Sequence, residues 1–338
     1  MTFSSEAFLP QAVLNRLTDV RVGDPERALR AAHARRRRPR LSEDGRLNLL
    51  AADHPARRVV AVGAAPLAMA SRRDYLARIV RVVLGGAVDG VMATMDILEE
   101  VLLLHDLVRE AGGPAFLDDK LLIPSLNRGG LAGVSWEMDD PVSGATPQAC
   151  ADWRMDGAKL LLRLCDDEPG SLRTLKSCAE AIGALNRLGL PTFLEPLPVV
   201  RDKDGYRVLK EAQALAEIVG VAAALGDSSR ALWLKLPHCK HYGRVAGATT
   251  LPILLLGGPA HGDARPLLEQ VASGMAAGAN VRGTLVGRNV LYPGDGDPLE
   301  VATAVNGIVH HALTVEQALA QAQADRGRDV DGLTRWLT

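Results

Sequence analysis

The stretch Ala231-Leu232-Trp233-Leu234-Lys235-Leu236-Pro237 is apolar on both faces except for one lysine near its far end. A parallel strand covered by helices on one side and a core on the other accounts for the leucines and the tryptophan. It does not account for an ammonium, which is costly to bury without a partner. Two readings of Lys235 are open. It is either a strand-end lysine whose stem packs while its head reaches water, or an amine desolvated so that it can attack a carbonyl and form a Schiff base. The rest of the chain decides between them.

Outward from this strand, short apolar runs alternate with longer amphipathic segments, the pattern of consecutive βα units. The runs lie at residues 47–52, 90–94, 120–124, 158–164, 192–197, 232–236, 253–256 and 283–286. Helical patterns occupy 72–84, 97–111, 146–155, 171–188, 206–225, 263–277 and 298–313, and the connection 238–250 has room only for a short helix. Eight such units predict an α/β fold, a single (β/α)8 TIM barrel, rather than a doubly wound sheet. No G-x-G-x-x-G follows the first run, as a dinucleotide-binding sheet would require. Residues 1–45 are expected to form an N-terminal helical extension, 46–313 the barrel and 314–338 a C-terminal helical tail. The segment 127–146, with Gly129, Gly130, Gly133, Pro141 and Gly144, lacks helical periodicity. It reads as a long loop after the third strand, on the face where barrels keep their active sites.

A chain of 338 residues, 47% hydrophobic and 23% charged, can bury a large core. Its formal net charge of -1 creates no global field for nucleic acid or an acidic membrane. The run Arg35-Arg36-Arg37-Arg38-Pro39-Arg40 is read as the solvated end of a helix over 24–38, with arginines near the C-terminal dipole and Pro39 closing it. The four cysteines form no C-x-x-C pair, the N-terminus lacks the segments of a signal peptide, and no apolar run reaches the roughly 18 residues of a spanning helix. The expectation is a cytoplasmic protein with no membrane or nucleic-acid partner.

In a barrel the C-terminal strand ends converge on one mouth, so polar residues there become neighbours. The first run ends in Asp53-His54, the fourth carries Lys159, the fifth carries Glu195 within Phe193-Leu194-Glu195-Pro196-Leu197, and the sixth carries Lys235. Singly, Asp53 could cap a helix, and Lys159 with Glu195 could be a structural salt bridge. Together they point to a site, because each buried charge is destabilising unless paired. Gly257 and Gly258 follow the seventh run, and Gly287 and Arg288 the eighth. Glycines there let backbone N–H groups approach a phosphate, although ordinary βα turns also use glycine. His54 is assigned to the same substrate-binding group. A metal set from His54, Glu195, His238, His241 and His261 is the alternative, but His238-Cys239-Lys240-His241 is its one cluster and a poor metal signature. No metal or other cofactor is expected.

The ordered motifs A-A-D-H (51–54), A-K-L-L-L (158–162), F-L-E-P-L (193–197), L-W-L-K-L-P (232–237), L-L-L-G-G (254–258) and G-T-L-V-G-R-N (283–289) resemble a known superfamily. It is the class I, Schiff-base aldolases: tagatose-bisphosphate, deoxyribose-phosphate and archaeal-type fructose-bisphosphate aldolases. The chain also resembles aldolase-like proteins found with inositol-catabolism genes in actinobacteria. The resemblance implies that Lys235 forms the Schiff base, that Glu195 shuttles protons and that Asp53 positions or protonates the carbinolamine oxygen. It implies a phosphate held by Gly257, Gly258, Gly287 and Arg288. A lysine of ordinary pKa, about 10.4, must drop by roughly two or three units to offer a free amine at neutral pH. Desolvation by the strand and repulsion from Lys159 are the two devices available. The implied activity is a carbon–carbon lyase acting on a sugar or keto-acid phosphate, with 2-deoxy-5-keto-gluconate 6-phosphate suggested by the inositol association, in a homo-oligomer. Departures are the Gly-Gly-Pro-Ala-His loop after the seventh strand and the lack of a tyrosine in the fifth. Rival readings are a metal-dependent aldolase or hydrolase, and a non-catalytic barrel that binds a sugar phosphate.

Overall fold

Each apolar run forms a parallel strand in the computed structural model, which describes residues 3–203, 205–258, 262–324 and 326–337. The strands are β1 (Leu47–Ala52), β2 (Gly90–Ala93), β3 (Leu121–Pro124), β4 (Ala158–Leu164), β5 (Thr192–Asp202), β6 (Gly205–Val208), β7 (Leu232–Pro237), β8 (Ile253–Leu256) and β9 (Val281–Val286). All but β6 run parallel in the order β3-β2-β1-β9-β8-β7-β5-β4. Alternate side chains point into the barrel, where Leu47, Leu49, Ala51, Met92, Phe193 and Leu254 pack together. The intervening residues, such as Leu50 and Ala52, face the surrounding helices. The fold is the expected TIM barrel.

The sheet closes between β3 and β4 by an unusual seam. Strand β3 is four residues long and ends at Pro124, which has no N–H to offer a ladder. A single parallel bridge joins Ser125 to Lys159, and Leu126 N–H donates to the Lys159 carbonyl at 2.9 Å. Beyond it the buried Asn127 side chain takes the place of backbone. Its amide donates to the Leu161 carbonyl at 2.6 Å, and its oxygen accepts the Leu161 N–H at 2.7 Å.

Two expectations are corrected. The helix expected over 206–225 begins only at Ala212. Strand β5 instead runs on to Asp202 and returns as antiparallel β6, pairing Val199 with Val208. The reason is packing over the mouth, where Leu197, Val199, Tyr206 and Val208 cluster with Met138, Leu161 and Leu256. The arginine run is also different. The extension contains helices Ser5–Phe8, Gln11–Gly23 and Arg27–Ala34, and residues 35–38 leave the last of them in non-helical conformation. Arg35 pairs with Asp156 at 2.6 Å, Arg36 with Asp119 at 3.0 Å, Arg37 with Asp156 at 2.7 Å and Arg38 with Asp89 at 3.3 Å. The Arg35 side chain is fully buried. These aspartates precede β4, β3 and β2, so the run is clamped to the N-terminal rim of the barrel, opposite the mouth. Among the described residues no helix is long and apolar enough to cross a membrane.

Candidate active site

Register and the two-residue strand period bring four charged side chains into the mouth. Lys159 lies opposite Phe193, and Leu161 opposite Glu195, so Lys159 and Glu195 point inward from neighbouring strands at successive levels. Lys235 follows the inward-leaning Trp233 by two residues on β7, and Asp53 follows the inward Ala51 by two. Lys159 Nζ lies 2.8 Å from Glu195 Oε2 and 3.3 Å from Asp53 Oδ2. Lys235 Nζ donates to the same Glu195 Oε2 at 3.1 Å. Both lysines are buried, at 1% and 6% exposure. The two ammoniums can therefore be no farther apart than those two contacts laid end to end.

The two lysines do come close, and one carboxylate oxygen serves both. Burial works against ionisation of Glu195, but Lys159 and then Lys235 outweigh it and bring its pKa down to about 2. Asp53 is likewise buried, yet Arg128 and Lys159 hold it well below the usual carboxylate range. Its Oδ2 accepts from Ser125 Oγ at 3.0 Å and lies 3.2 Å from Arg128 Nη1. Asp53 is thus matched with two cations at once. It is the counter-ion that orients Lys159. Burial lowers the Lys159 pKa, against the pull of Asp53 and Glu195.

A cavity of about 460 Å³ opens above these residues and is lined also by His54, Gly257, Gly258, Gly287 and Arg288. The expected phosphate corner therefore adjoins the lysines. Gly258 adopts a φ of +69° with open space where a Cβ would stand, and Gly287 has no room for one. A Cβ at Gly287 would lie 2.2 Å from the Ala51 carbonyl oxygen and 2.6 Å from His54 Cε1. Glycine there is what lets the end of β9 close on β1 and set the His54 ring at the corner. Burial, only partly offset by Asp53, and repulsion from Arg288 lower the His54 pKa to about 3, so it is a neutral imidazole.

Several residues in or beside the cavity escaped sequence reasoning. Arg128, which also donates to the Asp53 carbonyl at 2.7 Å, and Ser125 follow β3 directly and were accessible to the same strand-end argument. Arg57, from the turn after β1, and Lys210, which follows β6 and stands beside Gly257 and Gly258, carry no local signal. The loop 127–146 is pinned by Arg163, which pairs with Glu137 and donates to the Gly130 carbonyl at 3.1 Å. Among the described residues, no three His, Cys, Asp or Glu side chains are grouped to hold an ion. His241 is exposed, the His238 ring packs against Tyr242 with centroids 5.3 Å apart, and His261 lies outside the described residues.

A family profile described as Cgl0159-like matches residues 45–309. Among solved structures, the chain is similar to Cgl0159 from Corynebacterium glutamicum, with 34% identity over 92% of this chain and 99% of that one and a TM-score of 0.82. A Schiff base-forming fructose-1,6-bisphosphate aldolase aligns at 21% identity over 79% of this chain and 95% of its own, with a TM-score of 0.58. An archaeal fructose-1,6-bisphosphate aldolase, solved with its catalytic lysine covalently bound to the carbinolamine intermediate, aligns at 20% over 78% and 94%, with a TM-score of 0.56. At that identity the two aldolases speak to the fold alone. No curated protein matches the chain.

Proposed function

We propose that this chain, which belongs to the Cgl0159-like family, is a class I aldolase acting on a sugar or keto-acid phosphate through an imine on Lys235. The observation that carries the reading is the single oxygen, Glu195 Oε2, touching both Lys235 Nζ and Lys159 Nζ in the cavity at the barrel mouth. Nothing in barrel stability asks for two lysines on one buried carboxylate, whereas imine chemistry asks for an amine with a proton acceptor in contact.

The steps follow from the chemistry. A proton leaves Lys235 towards Glu195, and the free amine adds to the substrate carbonyl to give a carbinolamine. Glu195 returns the proton to the carbinolamine oxygen, and water departs to leave a cationic imine. Glu195 then takes the proton of the hydroxyl on the carbon beyond the bond to be broken. That bond's electrons move into the imine, an aldehyde is released, and an enamine remains. Protonation and hydrolysis of the enamine free the second product and restore Lys235. Lys159, held by Asp53, keeps Glu195 aimed and offers a positive charge to the oxygen during addition.

Arg288, Lys210 and the backbone of Gly257, Gly258 and Gly287 hold the phosphate, whose binding energy orients the reacting carbons. The reading is supported by the two structurally similar aldolases, one described as Schiff base-forming and one solved with its catalytic lysine on the carbinolamine. Family resemblance favours 2-deoxy-5-keto-gluconate 6-phosphate, cleaved to dihydroxyacetone phosphate and malonate semialdehyde. Borohydride reduction with dihydroxyacetone phosphate, followed by peptide mass mapping, is expected to leave a stable adduct on Lys235. The Lys235→Met variant should trap none and turn over no substrate. An adduct on another residue, or turnover with no adduct, would reject the imine mechanism.

A further inference from the structure

We propose that the mouth holds a second oxyanion subsite, formed by Arg57 and Arg128 across the barrel from the phosphate corner, so that the substrate is anionic at both ends. The proposal rests on the aldolase reading for the position of the carbonyl at Lys235.

The strand order carries the geometry. Around the closed barrel, β3 and β4 stand diametrically opposite β8 and β9. The phosphate corner follows β8 and β9, while Arg128 follows β3. Arg57 leaves the turn after β1 and reaches away from β9, towards the loop 127–146. Its Nε donates there to the Gly130 carbonyl at 2.8 Å, and its Nη2 lies 3.2 Å from Glu137 Oε1. Both guanidiniums line the same cavity as Lys235, which lies between the two ends. A molecule with its phosphate at the glycine corner and its carbonyl at Lys235 must direct its remaining carbons towards these arginines.

Their carboxylate partners are shared with other cations. Glu137 Oε1 is divided between Arg57 and Arg163, and Asp53 Oδ2 between Arg128 and Lys159. Burial, with repulsion from Arg163 and Arg128, outweighs the pull of Asp140 and Glu137 and brings the Arg57 pKa down to about 10. Arg128 Nε is buried without a hydrogen-bond partner, and Arg57 Nη1 has no acceptor among the described residues. A carboxylate or a phosphate would supply both the charge and the acceptors, since the guanidinium fork fits either. The loop 127–146 thereby gains a purpose: Gly130 and Glu137 hold the Arg57 fork in place before ligand arrives.

Calorimetric titration of the full chain tests this with three polyols that have no carbonyl and so cannot form an imine: 6-phosphogluconate, sorbitol 1,6-bisphosphate and sorbitol 6-phosphate. At least one doubly anionic probe should bind roughly tenfold tighter than sorbitol 6-phosphate, and which one does so tells carboxylate from phosphate at the far end. Arg57→Met should erase that preference while leaving the affinity for sorbitol 6-phosphate within about twofold, and Arg57→Lys should restore part of it. Equal affinities for the three probes, a preference that survives Arg57→Met, or no binding of any probe would overturn the subsite. Loss of Lys235 trapping with the preference intact would overturn the aldolase reading alone.

Discussion

Glu195 Oε2 receives two ammoniums, and this sharing makes the two lysines unequal for stability. Lys159 pairs with both Asp53 and Glu195, whereas among the described residues Lys235 pairs with Glu195 alone. Replacing Lys159 with methionine strips Asp53 of one counter-ion and Glu195 of its nearer one. Removing one partner of a buried ionic group typically costs about 3–5 kcal/mol. Lys235→Met leaves Glu195 paired to Lys159 at 2.8 Å and should cost well under half as much. Urea unfolding of the two variants checks the ranking, and equal losses would mean that Lys159 is not the anchor of the cluster. The lysine proposed to form the imine is then the more dispensable of the two for folding, as a site carved into a stable barrel requires.

Beyond its single backbone bridge, the β3–β4 seam uses one side chain where other strand pairs have a ladder. Asn127 is buried and makes two bonds to Leu161, the residue paired with Glu195 in the β4–β5 register, and a third to the Asp140 carbonyl at 2.9 Å. Asn127→Leu would leave the Leu161 N–H and carbonyl without these partners, at about 1–3 kcal/mol for each buried polar group left unsatisfied. The expected signature is faster amide exchange at Leu161 together with a lower denaturant midpoint. Unchanged exchange there would show that the seam is held elsewhere. The β5–β6 hairpin works differently. It brings Tyr206, Arg207 and Lys210 to the rim by extending a barrel strand, so the wall it adds inherits the rigidity of β5.

On the scale of the molecule, the closed end of the barrel is fastened by charge. His310, in the last helix of the barrel (Pro298–His311), bonds Asp44 through Nδ1 at 2.8 Å and Asp89 through Nε2 at 2.9 Å. Arg38 also faces Asp89, and the Asn48 N–H donates to it at 2.7 Å. Burial works against the imidazolium, but hydrogen bonds to Asp89 and Asp44 outweigh it and raise the His310 pKa above its ordinary value. The folded state thus binds the proton more tightly than the unfolded chain. The stabilisation is fully present below the ordinary value of about 6.5 and fades as pH climbs through the raised one. Thermal midpoints should fall over that window, and His310→Gln should flatten the fall. An unchanged profile in the variant would assign the pH dependence to other groups.

The barrel and the four charged residues of its mouth are legible in the sequence because their signals are local. A parallel strand buried on both faces must be apolar over consecutive residues, and a charge inside such a run declares itself. The strand-end rule then makes Asp53, Lys159, Glu195 and Lys235 neighbours without coordinates. The β5–β6 hairpin was hidden because four residues of β6 carry too short a period to compete with the helical pattern after it. The arginine run was hidden because its counter-ions, Asp89, Asp119 and Asp156, lie on other strand starts far along the chain. Periodicity and composition describe what a segment buries, and the sequence alone determined that much. Which charge meets which, so that Asp53 faces both Lys159 and Arg128 and one oxygen of Glu195 faces two lysines, depends on distances across the barrel, and only the closed tertiary structure decided them.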